Sequence, residues 1–200
     1  GEDTLSLHDA LPIYQFPPVF LGNSEEANVF GCNYKWQRMI TLDRITLARI
    51  ETLHPKLRLE AKDIYLQICR CLTGRAQIRF TQTFRTIAEQ NALYAQGRTT
   101  PGKIVTWAEG GRSYHNYGLA VDICLLIDNK TIGWDTLKDY DGDGLADWME
   151  CVKIFEKQGW EWGGRWSKGK TDMPHFQKTF GKTTIQLAQQ VKPGRPYVEL

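Results

Sequence analysis

Two short segments of the chain combine the residue types that hold a metal ion and move a proton. The first runs Ser113-Tyr-His115-Asn-Tyr-Gly118-Leu-Ala120-Val-Asp122, and the second is Asp172-Met-Pro-His175-Phe-Gln177. His115, Asp122 and His175 make a set of two imidazoles and one carboxylate. Catalytic zinc takes three such ligands and leaves a fourth position to water. Asp122 opens an apolar stretch, where a lone carboxylate is costly unless it is bound or paired. Gly118 and Ala120 are small enough for the backbone between the ligands to turn closely. Asp172, three residues before His175, is placed to act as a general base: it takes a proton from water beside the metal and later hands it to a leaving amine. Each residue alone has a plainer reading, His115 with Asp122 as a surface hydrogen-bonded pair and His175 as a packed histidine. The combination is what points to a metal.

A third segment carries another kind of donor. Asp139-Tyr-Asp141-Gly-Asp143-Gly-Leu145-Ala-Asp147-Trp-Met-Glu150 fits a twelve-residue EF-hand loop at positions 1, 3, 5, 6, 9 and 12. Oxygen donors in this number suit calcium rather than zinc. Leu145 would contribute its backbone carbonyl, and Asp147 would act directly or through water. The alternative is a solvated acidic turn. A good exiting helix begins near Trp148, but the segment before the loop is short and carries Gly133. The expectation is therefore half an EF-hand.

The elements that must position these residues read as follows. Ile40 to Leu53 is expected to be a helix, with Thr41 as its cap and Leu42, Ile45 and Ile50 on one face. Pro55 opens a second helix whose apolar residues Ala61, Ile64, Tyr65, Ile68 and Leu72 keep helical spacing, and Gly74 is expected to end it. Gln77 to Phe84 alternates as a strand does. Thr86-Ile-Ala-Glu89 is a capping box that opens a helix through Ala95. Gly97 to Gly111 is a loop. Ala120 to Ile127 is an apolar strand, and Trp148 to Gln158 an amphipathic helix with Gly159 past its end. Trp160 to Trp166 and Pro174 to Gln177 read as short strands. The fold class is α+β: a small antiparallel sheet packed against helices, with the zinc site at the sheet and the calcium loop beside it. Residues 1–38, with Pro12, Pro17 and Pro18 and little periodicity, read as a poorly structured extension, and 39–200 as one domain. His54 carries no assigned role.

Composition sets the outer bounds. The chain has 200 residues, 42% of them apolar and 24% charged, which is ample for one buried core. Its net charge of +2 hides an asymmetry, because residues 139–150 hold five acids and no base. No Lys/Arg run is dense enough to argue for nucleic acid. The longest uncharged apolar run, around Ile123 to Ile127, is far too short to cross a membrane, and no secretory leader is visible. Five cysteines at irregular spacing read as mostly reduced, buried residues rather than a disulfide framework.

The full pattern resembles the M15 zinc peptidases. The residues that carry this are Ser-x-His-x-x-Gly-x-Ala-x-Asp at 113–122 and Asp-x-Pro-His-Phe at 172–176, over roughly residues 40 to 190. Gln82-Thr-Phe-Arg85-Thr, Glu89 to Thr99 and Gly159 to Trp166 resemble the branch that includes L-alanyl-D-glutamate endolysins. Asp172, where the dipeptidase branch has Glu, favours the same branch. The resemblance implies that His115, Asp122 and His175 bind zinc, that Asp172 is the base, and that Arg85 steadies the oxyanion of the tetrahedral transition state. For Arg85 the alternative is a structural ion pair to Asp122 or Glu89. Ser113 would bind substrate or cap its loop. Trp160, Trp162 and Trp166 would form either a sugar platform or core. The expected function is hydrolysis of the peptidoglycan stem peptide by a monomer acting on the bacterial cell wall. The leading bond is L-alanyl-D-glutamate. The alternatives are D-alanyl-D-alanine carboxypeptidase activity and, in another class, an inactive wall-binding module.

Overall fold

The computed structural model describes residues 41–192 and 197–200. The extension expected over residues 1–38 lies outside the described residues. Among those described, the order is α1 (Arg44–Ile50), α2 (Pro55–Cys71), β1 (Ala76–Gln82), α3 (Ile87–Ala95), β2 (Ala120–Ile127), β3 (Thr131–Gly133), α4 (Asp147–Lys157), β4 (Glu161–Trp162), β5 (His175–Gln177) and α5 (Thr184–Gln190). This is the α+β class, with an antiparallel sheet.

β2 is the axis of the sheet. β1 pairs along one of its edges, from Ala76 opposite Ile127 to Gln82 opposite Asp122, with a bulge between Phe80 and Gln82. The other edge is shared: β3 pairs with Leu125–Ile127, and β5 pairs with Ala120–Asp122. β4 then pairs with β5. Side chains alternate across a strand, so Asp122 and His175 project from one face while their neighbours Val121 and Phe176 project from the other. Phe176 stacks on Phe155 of α4 at 4.2 Å between ring centroids, and Phe80 and Trp160 also meet Phe155 edge-on or tilted. That aromatic layer, with Ile64, Ile68, Trp148 and Val152, is buried. The core therefore sits behind the strands that carry the candidate ligands and holds their backbone fixed.

Several elements differ from the sequence reading. Helix α1 is shorter, and its cap is Asp43, which accepts from the Thr46 amide at 3.1 Å. Thr46 and Ile50 face inward and Ile45 is exposed, because Asp43 is also tied to Arg79 of β1 and this fixes the helix's rotation. Gly74 does not terminate α2, which ends at Cys71 with Leu72 as its cap. Its role is close approach: a Cβ there would lie 2.5 Å from both Asp141 Cβ and Tyr140 O. Within Trp160 to Trp166 only Glu161–Trp162 is a strand, followed by a 3-10 turn. The capping box at Thr86 and Glu89 is present in both directions. His54 caps α2 and is buried. Cys124 and Cys151 are buried free thiols and Cys69 is a half-buried one, whereas Cys71 is disulfide-bonded.

Candidate metal centre

The turn that carries His115 is clasped by its neighbours. Residues Tyr114–Tyr117 form one 3-10 turn, capped at its start by Ser113, whose hydroxyl accepts from the His115 amide at 3.4 Å. Gly118 closes the turn in the left-handed region at φ 66°. A Cβ at Gly118 would lie 2.6 Å from the backbone nitrogen of His54, so glycine is required on two counts. The chain leaving β1 supports the turn from the side. The Arg85 amide donates to the His115 carbonyl, and the His115 ring places Nδ1 2.7 Å from the Thr83 carbonyl oxygen.

The ligand atoms then converge. His115 Nε2 is 3.2 Å from Asp122 Oδ1, His175 Nδ1 is 3.0 Å from the same oxygen, and the two nitrogens are 3.3 Å apart. All three sequence-predicted ligands thus meet at one point, and the sheet register brings them there: Asp122 and His175 are cross-strand partners. The outer nitrogens are both occupied. A carbonyl only accepts, so Nδ1 of His115 carries its hydrogen toward Thr83 and leaves Nε2 with a lone pair. His175 Nε2 lies 3.1 Å from Gln177 Oε1, which has the same consequence for its Nδ1. Two imidazole lone pairs and a carboxylate oxygen thus point at one another in a buried place. That arrangement is repulsive unless a proton or a cation sits among them, and two imidazoles with one carboxylate are a donor set that catalytic zinc takes.

The electrostatics agree. Burial opposes the charge on Asp122, yet His115 and His175 hold its carboxyl far below the usual carboxylate range. Burial works against a charged His175 too, but Asp122 and Gln177 raise its pKa overall. Asp172 is exposed as a residue, while loss of solvent around its carboxyl and then the Asp122 charge push its pKa up; His175, His115 and Arg85 pull the other way. The main chain ties Asp172 to one of the three: the His175 amide donates to the Asp172 carbonyl at 3.3 Å. Its backbone is locked by Gly163, whose carbonyl accepts from the Asp172 amide at 3.1 Å and where a Cβ would lie 2.5 Å from the Asp172 carbonyl.

Arg85 lies at the same rim. Its Nη2 is 4.0 Å from Asp122 Oδ2, and its Nη1 donates to Gln90 Oε1 at 2.9 Å. Gln90 is fully buried and donates in turn to the Ala108 carbonyl. Arg85 is thereby held on one side by a neutral group, with its other terminal nitrogen turned toward Asp122. Of the tryptophans, Trp160 and Trp162 are core, and Trp166 is half-buried with its ring centroid 5.2 Å from that of His175. Sequence reasoning misses Thr83, Gln90 and Gln177 as site residues. Gln177 has a signal: it lies two residues beyond His175 on a strand and so shares its face.

The acidic loop forms a second cluster. Asp139, Asp141 and Asp147 can offer oxygens within 4.8 Å of one another, and so can Asp141, Asp143 and Glu150. Asp139 accepts from the amides of Asp141, Gly142 and Gly144, so those N–H groups hold its pKa down. Asp141 Oδ2 accepts from the Thr73 amide and hydroxyl, which docks the loop on the turn between α2 and β1. Asp147 is fully buried and accepts from the Tyr140 amide with one oxygen; the other, like Asp141 Oδ1, is buried without a hydrogen-bond partner. Burial, then the charges of Asp143, Asp141 and Asp147, push Glu150 up to about 8.

Comparison with known proteins gives three findings. A family model described as D-alanyl-D-alanine carboxypeptidase, Peptidase_M15_4, matches residues 107–178, the segment that holds His115, Asp122, Asp172 and His175. Over 97 residues the chain is 50% identical to the peptidoglycan L-alanyl-D-glutamate endopeptidase CwlK of Bacillus subtilis, covering 48% of this chain and 58% of that protein. The chain thus spans less than two thirds of that relative. The crystal structure of the Serratia marcescens L-Ala D-Glu endopeptidase ChiX aligns with a TM-score of 0.46 at 20% identity, over 70% of this chain and 90% of that one. The resemblance to the M15 peptidases read from the motifs is borne out over the matched segment.

Proposed function

We propose that this chain is a zinc-dependent peptidase of the bacterial cell wall that cleaves the L-alanyl-D-glutamate bond of the peptidoglycan stem peptide. The observation that carries this reading is the convergence of His115, Asp122 and His175, with Arg85 4.0 Å from Asp122 and the Asp172 main chain bonded to His175, in a chain half identical over 97 residues to CwlK. His115 Nε2, Asp122 Oδ1 and His175 Nδ1 would hold the ion. Zinc supplies a Lewis acid there, which polarises a carbonyl and makes water acidic near neutral pH.

The chain's own residues do the rest. Asp172, ionised, accepts the proton of the attacking water at a carboxyl oxygen as the new C–O bond forms, and then passes it to the amide nitrogen, so that the C–N bond breaks and the amine leaves. The Arg85 guanidinium faces the charge that grows on the scissile carbonyl oxygen, and Gln90 holds it in place. Ser113 caps the His115 turn, and its hydroxyl is the group proposed to bind substrate. Residues 39–200 form the peptidase domain and act as a monomer. Among the described residues no helix is long and apolar enough to cross a membrane.

Calcium is the second proposed ion, held by Asp139, Asp141, Asp143, the Leu145 carbonyl, Asp147 and Glu150. Its support is the buried, unpartnered oxygens of Asp141 and Asp147 in a loop that fits the EF-hand pattern. A cation offsets the burial and the mutual repulsion that otherwise drive Glu150 to keep its proton.

Mass spectrometry of muropeptides after digestion tests the main reading. New N-terminal D-glutamate is the expected product. The description of the matching family model favours one second reading, D-alanyl-D-alanine carboxypeptidase, which releases free D-alanine instead. Walls left intact by zinc-loaded protein would favour a binding module.

A further inference from the structure

We infer that Gln177 and Glu161 form a positioning relay that commits His175 to offer its Nδ1 lone pair to the metal. This rests on the reading of His115, Asp122 and His175 as ligands, and it follows from counting donors and acceptors.

An ionised Glu161 only accepts. Its Oε2 lies 2.9 Å from Gln177 Nε2, so the amide must turn its NH2 toward Glu161. The amide oxygen is then obliged to face His175, where Oε1 lies 3.1 Å from Nε2. That oxygen also only accepts, so Nε2 carries the hydrogen and the neutral ring keeps its lone pair on Nδ1. Nδ1 is the atom that faces Asp122 Oδ1 at 3.0 Å and His115 Nε2 at 3.3 Å. A choice made by an exposed carboxylate on β4 is thus transmitted through two hydrogen bonds to the ligand atom.

The sheet supplies the geometry. Glu161 and Gln177 are cross-strand partners, and His175 and Gln177 share one face of β5. His175 and Gln177 are both buried, which leaves little solvent to take over either bond. Without Glu161 the amide can turn over and present NH2 to Nε2. The hydrogen would then reside on Nδ1, pointing at Asp122 in the place a metal needs. His115 solves the same problem differently, through the Thr83 main-chain carbonyl, which no side-chain substitution removes. His175 alone depends on side chains, and the group touching it is a neutral amide. Gln177 and Glu161 are therefore positioning residues, because neither faces the metal itself.

The test uses the full chain and three variants, Gln177→Leu, Glu161→Ala and Gln177→Glu. Two quantities are read: the zinc dissociation constant by competition with a chromophoric chelator, and the His175 tautomer from ring 15N shifts of metal-free protein at alkaline pH. Wild type should show the Nε2–H tautomer. Gln177→Leu should weaken zinc by about ten- to a hundred-fold and give a tautomer mixture. Glu161→Ala should move both quantities in the same direction, and since Glu161 is exposed its circular dichroism and melting should stay near wild type. Gln177→Glu, which still places an acceptor at Nε2, should restore the tautomer. Wild-type tautomer and affinity in Gln177→Leu and Glu161→Ala would overturn the relay. A wild-type chain with no zinc affinity would overturn the metal reading instead, and the tautomer measurement would still decide the relay.

Discussion

Asp122 and His175 face each other across the β2–β5 pair with Oδ1 and Nδ1 3.0 Å apart, and His115 completes the group from a separate turn. Register alone sets the first contact, since the two are direct partners in an antiparallel ladder. The first prediction follows from it. Dialysed protein should carry about one zinc per chain at this site by metal analysis. His115→Ala should lose both the metal and wall-lytic activity while keeping its sheet, because the ring's other bonds are to a main-chain carbonyl. Full lytic activity in zinc-free protein would end the reading.

Asp172 is predicted to act beside the ligands rather than as one of them. Asp172→Asn should retain zinc and lose rate by roughly 100-fold or more, the usual contribution of a general base. Equilibrium dialysis and single-turnover hydrolysis separate the two effects. Loss of the metal in this variant would make Asp172 a ligand and overturn the assignment.

Much of this site is legible in the sequence because its ligands are locally spaced. His115 to Asp122 spans one turn and the start of one strand, and Asp172 to His175 one approach to a strand, so types and spacing suffice. The capping box of α3 and the apolar run of β2 are legible for the same reason. What is not legible depends on partners far along the chain. Asp43, not Thr41, caps α1 because Arg79, 36 residues away, holds its carboxylate. Gly74 reads as a helix stop because nothing local shows that Asp141 presses against it. Gln90 carries no local signal of a role, and only the fold reveals it fully buried between Arg85 and Ala108.

That placement of Gln90 gives the third prediction. Arg85→Ala should retain zinc and lower kcat more than it raises KM, if the guanidinium works on charge present only in the transition state. Gln90→Leu should give the same pattern with a smaller loss, because the cation remains but loses its hold. A change confined to KM in both variants would mean that Arg85 binds ground-state substrate.

Gly74 carries the fourth. Its φ is not in the left-handed region, so the cost of a side chain is steric alone. Gly74→Ala should force the Asp139–Glu150 loop away from the α2–β1 turn and destabilise the protein by about 1–3 kcal/mol in urea unfolding. It should also weaken calcium binding, because Asp141 is then pulled from Thr73. Unchanged stability would show that the loop yields freely.

The last prediction concerns the pH dependence of stability without calcium. Glu150 is pushed from its ordinary 4.5 up to about 8, first by burial and then by Asp143, Asp141 and Asp147. Between those values the folded chain holds a proton that the unfolded chain has released. The folded state therefore binds more protons, and stability falls as pH rises through that window. The loss is complete above about 8 and absent below 4.5. Each tenfold difference in proton affinity between the two states is worth about 1.4 kcal/mol, so the whole loss is on the order of a few kcal/mol. Asp147, raised by burial and by Asp141, adds to the slope in the same direction. In the proposed reading calcium binds the ionised carboxylates, so saturating calcium should flatten the slope and raise the melting temperature most at alkaline pH. Glu150→Gln should flatten it without calcium, since no proton is exchanged at that position. Thermal melts of calcium-free, zinc-loaded protein across this pH range decide the matter. A stability that rises with pH in the absence of calcium would sink the account of Glu150. A slope that calcium leaves untouched would mean that the loop does not gather the ion.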